Sequence, residues 1–265
     1  MPGDWSEALQ RLIHIERKVD RILEHGASPA GAMPAKPHPD QAFGNMSYAQ
    51  HGEDLIFLNI FSLLGVHTPK YIDVGAYHPL NISNTALLYQ RGCRGINIEA
   101  NPNLITAFLE QRPEDVNLNV GIAPCPGELD FYCIDEWSGR NTFDKRTAED
   151  FVRLHPEFRI REVKQIAAIT LDEVIERYNG GRFPDLLTVD VEGFDYAVLA
   201  GATFDRSKPT VICAEAVSGA DRDEAERLIN LLSERGYRPY FRTLGNIIFV
   251  AEDALREIWS SLPRR

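Results

Sequence analysis

The sequence predicts an α/β fold: a doubly wound, mostly parallel sheet that finishes in a C-terminal antiparallel hairpin. Three observations predict it. Apolar runs of strand length recur at 70–75, 95–99, 186–191 and 209–215. From residue 43 onward they alternate with amphipathic segments of helix length, the βα pattern of parallel sheets. Each run also leads into an acid, at Asp73, Glu99, Asp190 and Glu215, and in open α/β sheets ligands bind at the carboxyl ends of strands.

The elements follow in order. Residues 5–25 read as a helix that Asp4 can cap, with Glu7 three residues on. Trp5, Ala8, Leu12, Ile15, Val19 and Ile22 form a heptad seam flanked by charges. A helix of this length needs a partner in water. Residues 1–25 are therefore expected to form a coiled coil that joins copies into a homo-oligomer, or else to pack on their own domain. Residues 26–42 contain four prolines among small residues and form a linker. The domain spans 43–265. It should open with a helix at 50–64 ending at Gly65, then a strand at 70–75, a helix near 83–91, a strand at 95–99 and a helix at 102–111. Strands at 117–122 and 128–133, a helix at 144–153 and a short strand at 163–169 follow. Thr170 should cap a helix at 171–178. A strand at 186–191, a helix at 194–200, a strand at 209–215 and a helix at 221–235 lead to a hairpin of 237–241 and 246–250.

Composition is globular, with 44% hydrophobic and 25% charged residues. A net charge of −11 disfavours nucleic acid as a partner, because phosphate backbones call for basic patches. Cys93, Cys125, Cys133 and Cys213 form no Cys-x-x-Cys pair and no zinc spacing. They read as reduced thiols of a cytoplasmic protein. No leader-like N-terminus and no membrane-spanning run is visible.

The turn after the first strand narrows the ligand. Asp73-Val-Gly-Ala-Tyr-His-Pro79 holds one glycine and a proline where a phosphate-binding helix should start. That argues against the glycine-rich pyrophosphate cradle of a dinucleotide site, and so against an NAD-linked oxidoreductase. Asp73 has the wrong sign for phosphate and the right sign for the ammonium group of S-adenosylmethionine (SAM). Gly75 and Ala76 let backbone approach the ligand, and Glu99 can accept both ribose hydroxyls. Ser83 and Asn84, at a helix N-terminus, suit the SAM carboxylate. His78 in the same turn is a candidate base, or an incidental loop histidine.

Asp190 and Glu192 follow a near-continuous apolar strand, and Glu215 ends the next one. Carboxylates crowded there shift their pKa or recruit a cation. Asp190 and Glu192 are thus candidate catalytic acids and bases. With Glu215 they are candidate ligands of a divalent metal such as Mg²⁺. Alternatively, Asp190 or Glu192 caps the helix near 194. A second cluster, Ser47 to Asp54, either folds Gln50 over the ligand as a lid or complements a helix dipole. Tyr132, Trp137, Arg140, Asn141 and Phe143 suit an acceptor site or an ordinary loop.

Several blocks resemble the FkbM family of SAM-dependent methyltransferases, in the subgroup opening with Ser-Tyr-x-Gln-x-Gly-Glu-Asp, here Ser47 to Asp54. Tyr71 to Pro79, Ser83-Asn-Thr85, Arg94 to Glu99 with Asn101-Pro102, Arg112-Pro113, Asn117-Leu-Asn119 and Thr188 to Gly193 continue it in the same order. The resemblance implies a Rossmann-like class I methyltransferase fold and SAM-dependent O-methylation of a sugar in a glycan, glycolipid or glycosylated natural product. It implies that Asp73, Gly75 and Glu99 bind SAM, that Ser83 and Asn84 sit where polar contacts to it are expected, and that Asp190 and Glu192 lie near the reacting centre; Gln50, Ala76 and Asn101 complete the candidate cofactor-binding residues. Phe194-Asp195 and Pro124-Cys-Pro126 depart from the family's pattern, on the acceptor side. A different reading makes the chain a non-catalytic SAM-binding or recruitment subunit of a glycan-assembly complex.

Overall fold

The computed structural model of the chain describes residues 46–204, 206–216 and 222–261. The expected helix at 5–25 and the linker at 26–42 lie outside the described residues. The elements are α1 Glu53–Leu63, β1 Tyr71–Val74, α2 Ala86–Gln90, β2 Gly95–Ile98, α3 Pro102–Gln111, β3 Val116–Leu118, β4 Gly121–Ile122, β5 Gly127–Cys133, α4 Lys145–Leu154, β6 Glu162–Ile169, α5 Leu171–Tyr178, β7 Leu186–Val189, α6 Asp195–Gly201, β8 Val211–Glu215, α7 Arg222–Glu234, β9 Tyr237–Arg242, β10 Asn246–Ala251 and α8 Glu252–Ser261.

A seven-stranded sheet runs in the order β3-β2-β1-β7-β8-β10-β9. The first five strands pair in parallel and β10 pairs antiparallel with both β8 and β9. This is the doubly wound α/β architecture that the sequence predicts. The chain winds outward from β1 through β2 to β3, then returns to the other side of β1 at β7. The crevice at that reversal is where such sheets bind ligands. Every residue of β1 and of β7 is buried, as expected of central parallel strands covered on both faces. Local signals hold the flanking helices: Thr170 and Glu173 form a reciprocal capping box on α5, and Asn101 caps α3 ahead of Pro102.

One expectation needs correction, and two features go beyond the expectations. The strand at 117–122 is two strands in two sheets. Val116–Leu118 edges the large sheet, and Gly121–Ile122 joins β6 and β5 in a separate three-stranded sheet of order β4-β6-β5. The chain breaks at Asn119, whose Nδ2 donates to the carbonyls of Glu99 and Ala100, and at Gly121, where a Cβ would strike the Phe143 ring. The strands expected at 128–133 and 163–169 therefore belong to this second sheet. Their alternating exposure marks a sheet with one open face. Last, α8 follows the hairpin without a break. Ala254 and Ile258, one turn apart, dock it on the core.

No helix among the described residues is long and apolar enough to cross a membrane. Cys93, Cys133 and Cys213 are buried free thiols and Cys125 is exposed.

Candidate active site

The site begins where three strand ends are tied together. Gly75 adopts φ 77° directly after β1. A Cβ there would collide with the carbonyl oxygen of Asp190, so both conformation and space require glycine. The amides of Gly75 and Ala76 donate to Ile98 O at 2.9 and 3.1 Å, and the Asp190 amide donates to Val74 O at 3.0 Å. Tyr77 continues the turn at φ 55° and donates its amide to Glu99 Oε2 at 2.9 Å.

A cleft partly open to solvent lies above this knot. One wall carries Gly75, Tyr77, Glu99, Asp190 and Glu192. The other is formed by Gly121, Ile122 and Phe131 of the small sheet and by the 138–143 segment, which straps across from it. Glu99 is buried, and its Oε1 accepts the Asn101 amide at 2.8 Å. Burial pushes its pKa up to about 7, against the pull of the two amides.

Beneath the β1–β2 side lies a buried polar network. The Asp73 carboxylate accepts the Thr85 hydroxyl at 2.6 Å and the Thr188 hydroxyl at 3.3 Å. Asn84 Nδ2 donates to Thr188 Oγ1. Thr85 Oγ1 in turn accepts Nη2 of Arg112, which also donates to the Tyr71 hydroxyl at 2.7 Å, while Nε reaches Asp115 Oδ2 at 3.0 Å. Arg112 is fully buried, with its guanidinium near the rings of Tyr71, Tyr89 and Phe108. Burial raises the pKa of Asp73, while the Thr85 hydroxyl and the Arg112 charge oppose it. The sequence marked Arg112 only as part of the resemblance. An arginine closing an amphipathic helix just before a proline carries no local sign that it will be buried.

The β7–β8 side is built differently. Asp190, Glu192 and Glu215 each offer an oxygen, and these three atoms lie within 4.8 Å of one another. Glu192 sits at φ 52°, outside the usual range for a residue with a side chain. Arg140 Nη1 bridges both Glu192 oxygens, at 2.8 and 2.9 Å. Thr142 Oγ1 donates to the Glu192 carbonyl, so the strap is pinned to the acid loop. Burial raises the pKa of Asp190, Glu192 and Glu215; the Glu192 charge adds to this at Asp190, the Asp190 and Glu192 charges add to it at Glu215, and Arg140 opposes it. Asp195 is buried beside them with Oδ1 lacking a hydrogen-bond partner, and burial followed by the Asp190 charge pushes its pKa well up. Neither Asp190 nor Glu192 caps α6, whose N-cap is Phe194 without a side-chain hydrogen bond.

The remaining sequence candidates fall into place around these features. Ala76 is buried in the glycine turn. Ser83 is buried and its Oγ accepts the Ala86 amide, so it acts as a local cap. Asn101 caps α3 and tethers the 136 carbonyl through Nδ2. His78 Nδ1 accepts the amides of Leu80 and Asn81, which fixes a turn rather than facing the cleft. Gln50 is exposed and does not line the cleft. Of the acceptor candidates, Asn141 and Phe143 line the cleft, Arg140 holds Glu192, Trp137 is exposed, and Tyr132 pairs with Thr142 through backbone.

The methyltransferase FkbM domain matches residues 73–239. No curated protein matches the chain in sequence. Among solved structures, the O-methyltransferase from Bacillus cereus in complex with SAH is similar at 13% identity, over 95% of this chain and 92% of that one, with a TM-score of 0.41.

Proposed function

The chain belongs to the FkbM methyltransferase family, and from that premise we propose that it transfers a methyl group from SAM to a sugar hydroxyl. One observation carries the reading: a cleft joins the glycine turn and Glu99 at one end to the carboxylates of Asp190 and Glu192 at the other. The donor set suits the cofactor. Glu99 keeps lone pairs for ribose hydroxyls while two amides fix its orientation, and Asn101 serves by supplying one of them. Ile98, Leu104, Val120 and Ile122 give the cleft apolar wall for an adenine ring. Gly75 keeps the floor of the turn low. Asp73, Ser83 and Asn84 act from inside, by holding the turn and the β7 end in register.

Bound there, SAM supplies an electrophilic methyl carbon on a sulfonium. A neutral sugar hydroxyl is a poor nucleophile, and a positioned base contributes about 10²–10⁴-fold. Asp190 is that base in our reading, since it lines the cleft and its raised pKa makes its carboxylate a stronger base for the hydroxyl proton. His78 is less suited, because its Nδ1 already accepts two amides. Mg²⁺ has possible ligands in Asp190 and Glu215; Glu192, the third of the set, is engaged by Arg140.

Calorimetric titration with SAM and S-adenosylhomocysteine, with and without Mg²⁺, tests the cofactor reading. Micromolar binding is expected, and a folded protein that binds neither would sink it. SAM binding without transfer to any glycan of the host would favour a recruitment role.

A further inference from the structure

Following the sheet edge outward from Gly75, the strand order puts Asp190 at the end of β7, Glu215 at the end of β8 and Asn246 at the start of β10. Asn246 and Glu215 are direct antiparallel partners, so their side chains leave the same face of the sheet. Asp190 lines the cofactor cleft, whereas Glu215 and Asn246 do not. Beyond them lies the 47–54 segment, none of whose residues lines the cofactor cleft. Glu53 there is fully buried. Its Oε1 accepts the Thr243 hydroxyl at 2.8 Å and Asn246 Nδ2 at 3.0 Å, and its Oε2 accepts the His51 amide at 2.9 Å. The His51 ring rests against Gly245, where a Cβ would sit 3.6 Å away, and the Gly245 carbonyl accepts the amide of Ala216, next to Glu215.

Two buried polar atoms at this spot have no hydrogen-bond partner: Oδ1 of Asn246, a residue 5% exposed, and Nδ1 of His51, which lies 3.7 Å from Glu53 Oε1. Buried polar atoms are normally paired, so at these two atoms a water or a ligand is called for as the partner.

We propose that Glu215, Asn246 and His51 form the acceptor subsite, on the far side of Asp190 from the cofactor cleft, and that it takes a neutral, hydroxyl-rich ring. The proposal rests on the sugar reading above. Oxygen acceptors predominate, which suits a ligand rich in O–H donors. Glu53, kept ionised by its donors, repels a phosphate or a uronate. Glu53 holds the turn and the histidine from behind, and His51 positions the acceptor; it is not the base.

The test uses the full chain saturated with S-adenosylhomocysteine and methyl glycosides of glucose, galactose, mannose and rhamnose. The His51 ring-proton resonance, identified among seven histidines by its loss in His51→Phe, is followed during titration. The same glycosides are assayed with SAM. We expect the methylated glycoside to shift the His51 signal. Loss of one hydrogen bond in His51→Phe should raise its KM about tenfold, with S-adenosylhomocysteine Kd unchanged and partial recovery in His51→Asn. A glycoside that is methylated without moving the His51 signal overturns the subsite and leaves the sugar reading standing, even if the variants fold poorly. A protein that binds SAM but neither methylates nor senses any glycoside overturns both.

Discussion

The two halves of the strand-end edge treat buried carboxylates in opposite ways. At β1 and β2, Asp73, Glu99 and Asp115 accept hydroxyl, amide, guanidinium and Asn donors from within the chain. At β7 and β8, Asp190, Glu192, Glu215 and Asp195 crowd together, with the Arg140 guanidinium engaging Glu192. Burial raises the pKa on both sides, of Asp73 and Glu99 as well as of Asp190 and Glu215. The difference is that donors from the chain orient the first set, whereas Asp190 and Glu215 face other carboxylates and keep lone pairs for something outside the chain. The contrast separates the half that holds from the half that reacts.

The strongest way to break this contrast is Asp190→Asn. Turnover should fall by about 10²–10⁴-fold, while S-adenosylhomocysteine affinity and melting temperature hold or rise. A turnover near wild type would show that the β7–β8 half does no chemistry. In the frame half, Arg112→Met should instead cost about 3–5 kcal/mol in urea unfolding, because Asp115 is left as a buried, unpaired charge. A loss under about 1 kcal/mol would mean that the network is ornamental to stability.

The pH dependence of stability sharpens the comparison further. Folded-state pKa values of Glu99 and Asp190 are raised, each to about 7. The stability they contribute is full below the unfolded carboxylate range of about 4, and is lost as pH rises through about 7. Glu53 runs the other way, since its donors lower its pKa despite burial; its contribution is lost as pH falls. Urea midpoints should therefore decline from pH 5 to pH 8. Glu215→Gln should flatten that decline and gain on the order of 1 kcal/mol at pH 8, and an unchanged slope would remove Glu215 from the cluster's energetics. The smallest effect belongs to Arg140→Gln. Half-exposed ion pairs contribute under about 1 kcal/mol, so its melting temperature should barely move, while any Mg²⁺ affinity at the acids should increase.

Much of the frame was legible because local rules write it. The apolar runs of β1, β2, β7 and β8, the capping box at Thr170 and the glycine at 75 each follow from period, propensity or a forbidden φ. The site was legible in part. Asp190, Glu192 and Glu215 were grouped from strand ends alone, since parallel strands bring their carboxyl ends to one edge. The reading failed at Asn119–Gly121, where a run of strand formers is divided between two sheets, and at α8, whose short apolar stripe becomes a helix only against the core.

By itself, then, the sequence determined the order of strands and helices, the acids at their ends and the glycine at the first turn. These depend on spacing and on the conformations each residue can adopt. The tertiary structure alone decided which acids are satisfied. Asp73 and Asp190 look alike in sequence, each at the end of an apolar strand. Asp73 meets Thr85 and Thr188 and lies near Arg112, whereas Asp190 meets Glu192 and Glu215. Those partners come from distant parts of the chain, and the ionisation of a buried carboxylate depends on the groups that surround it in space.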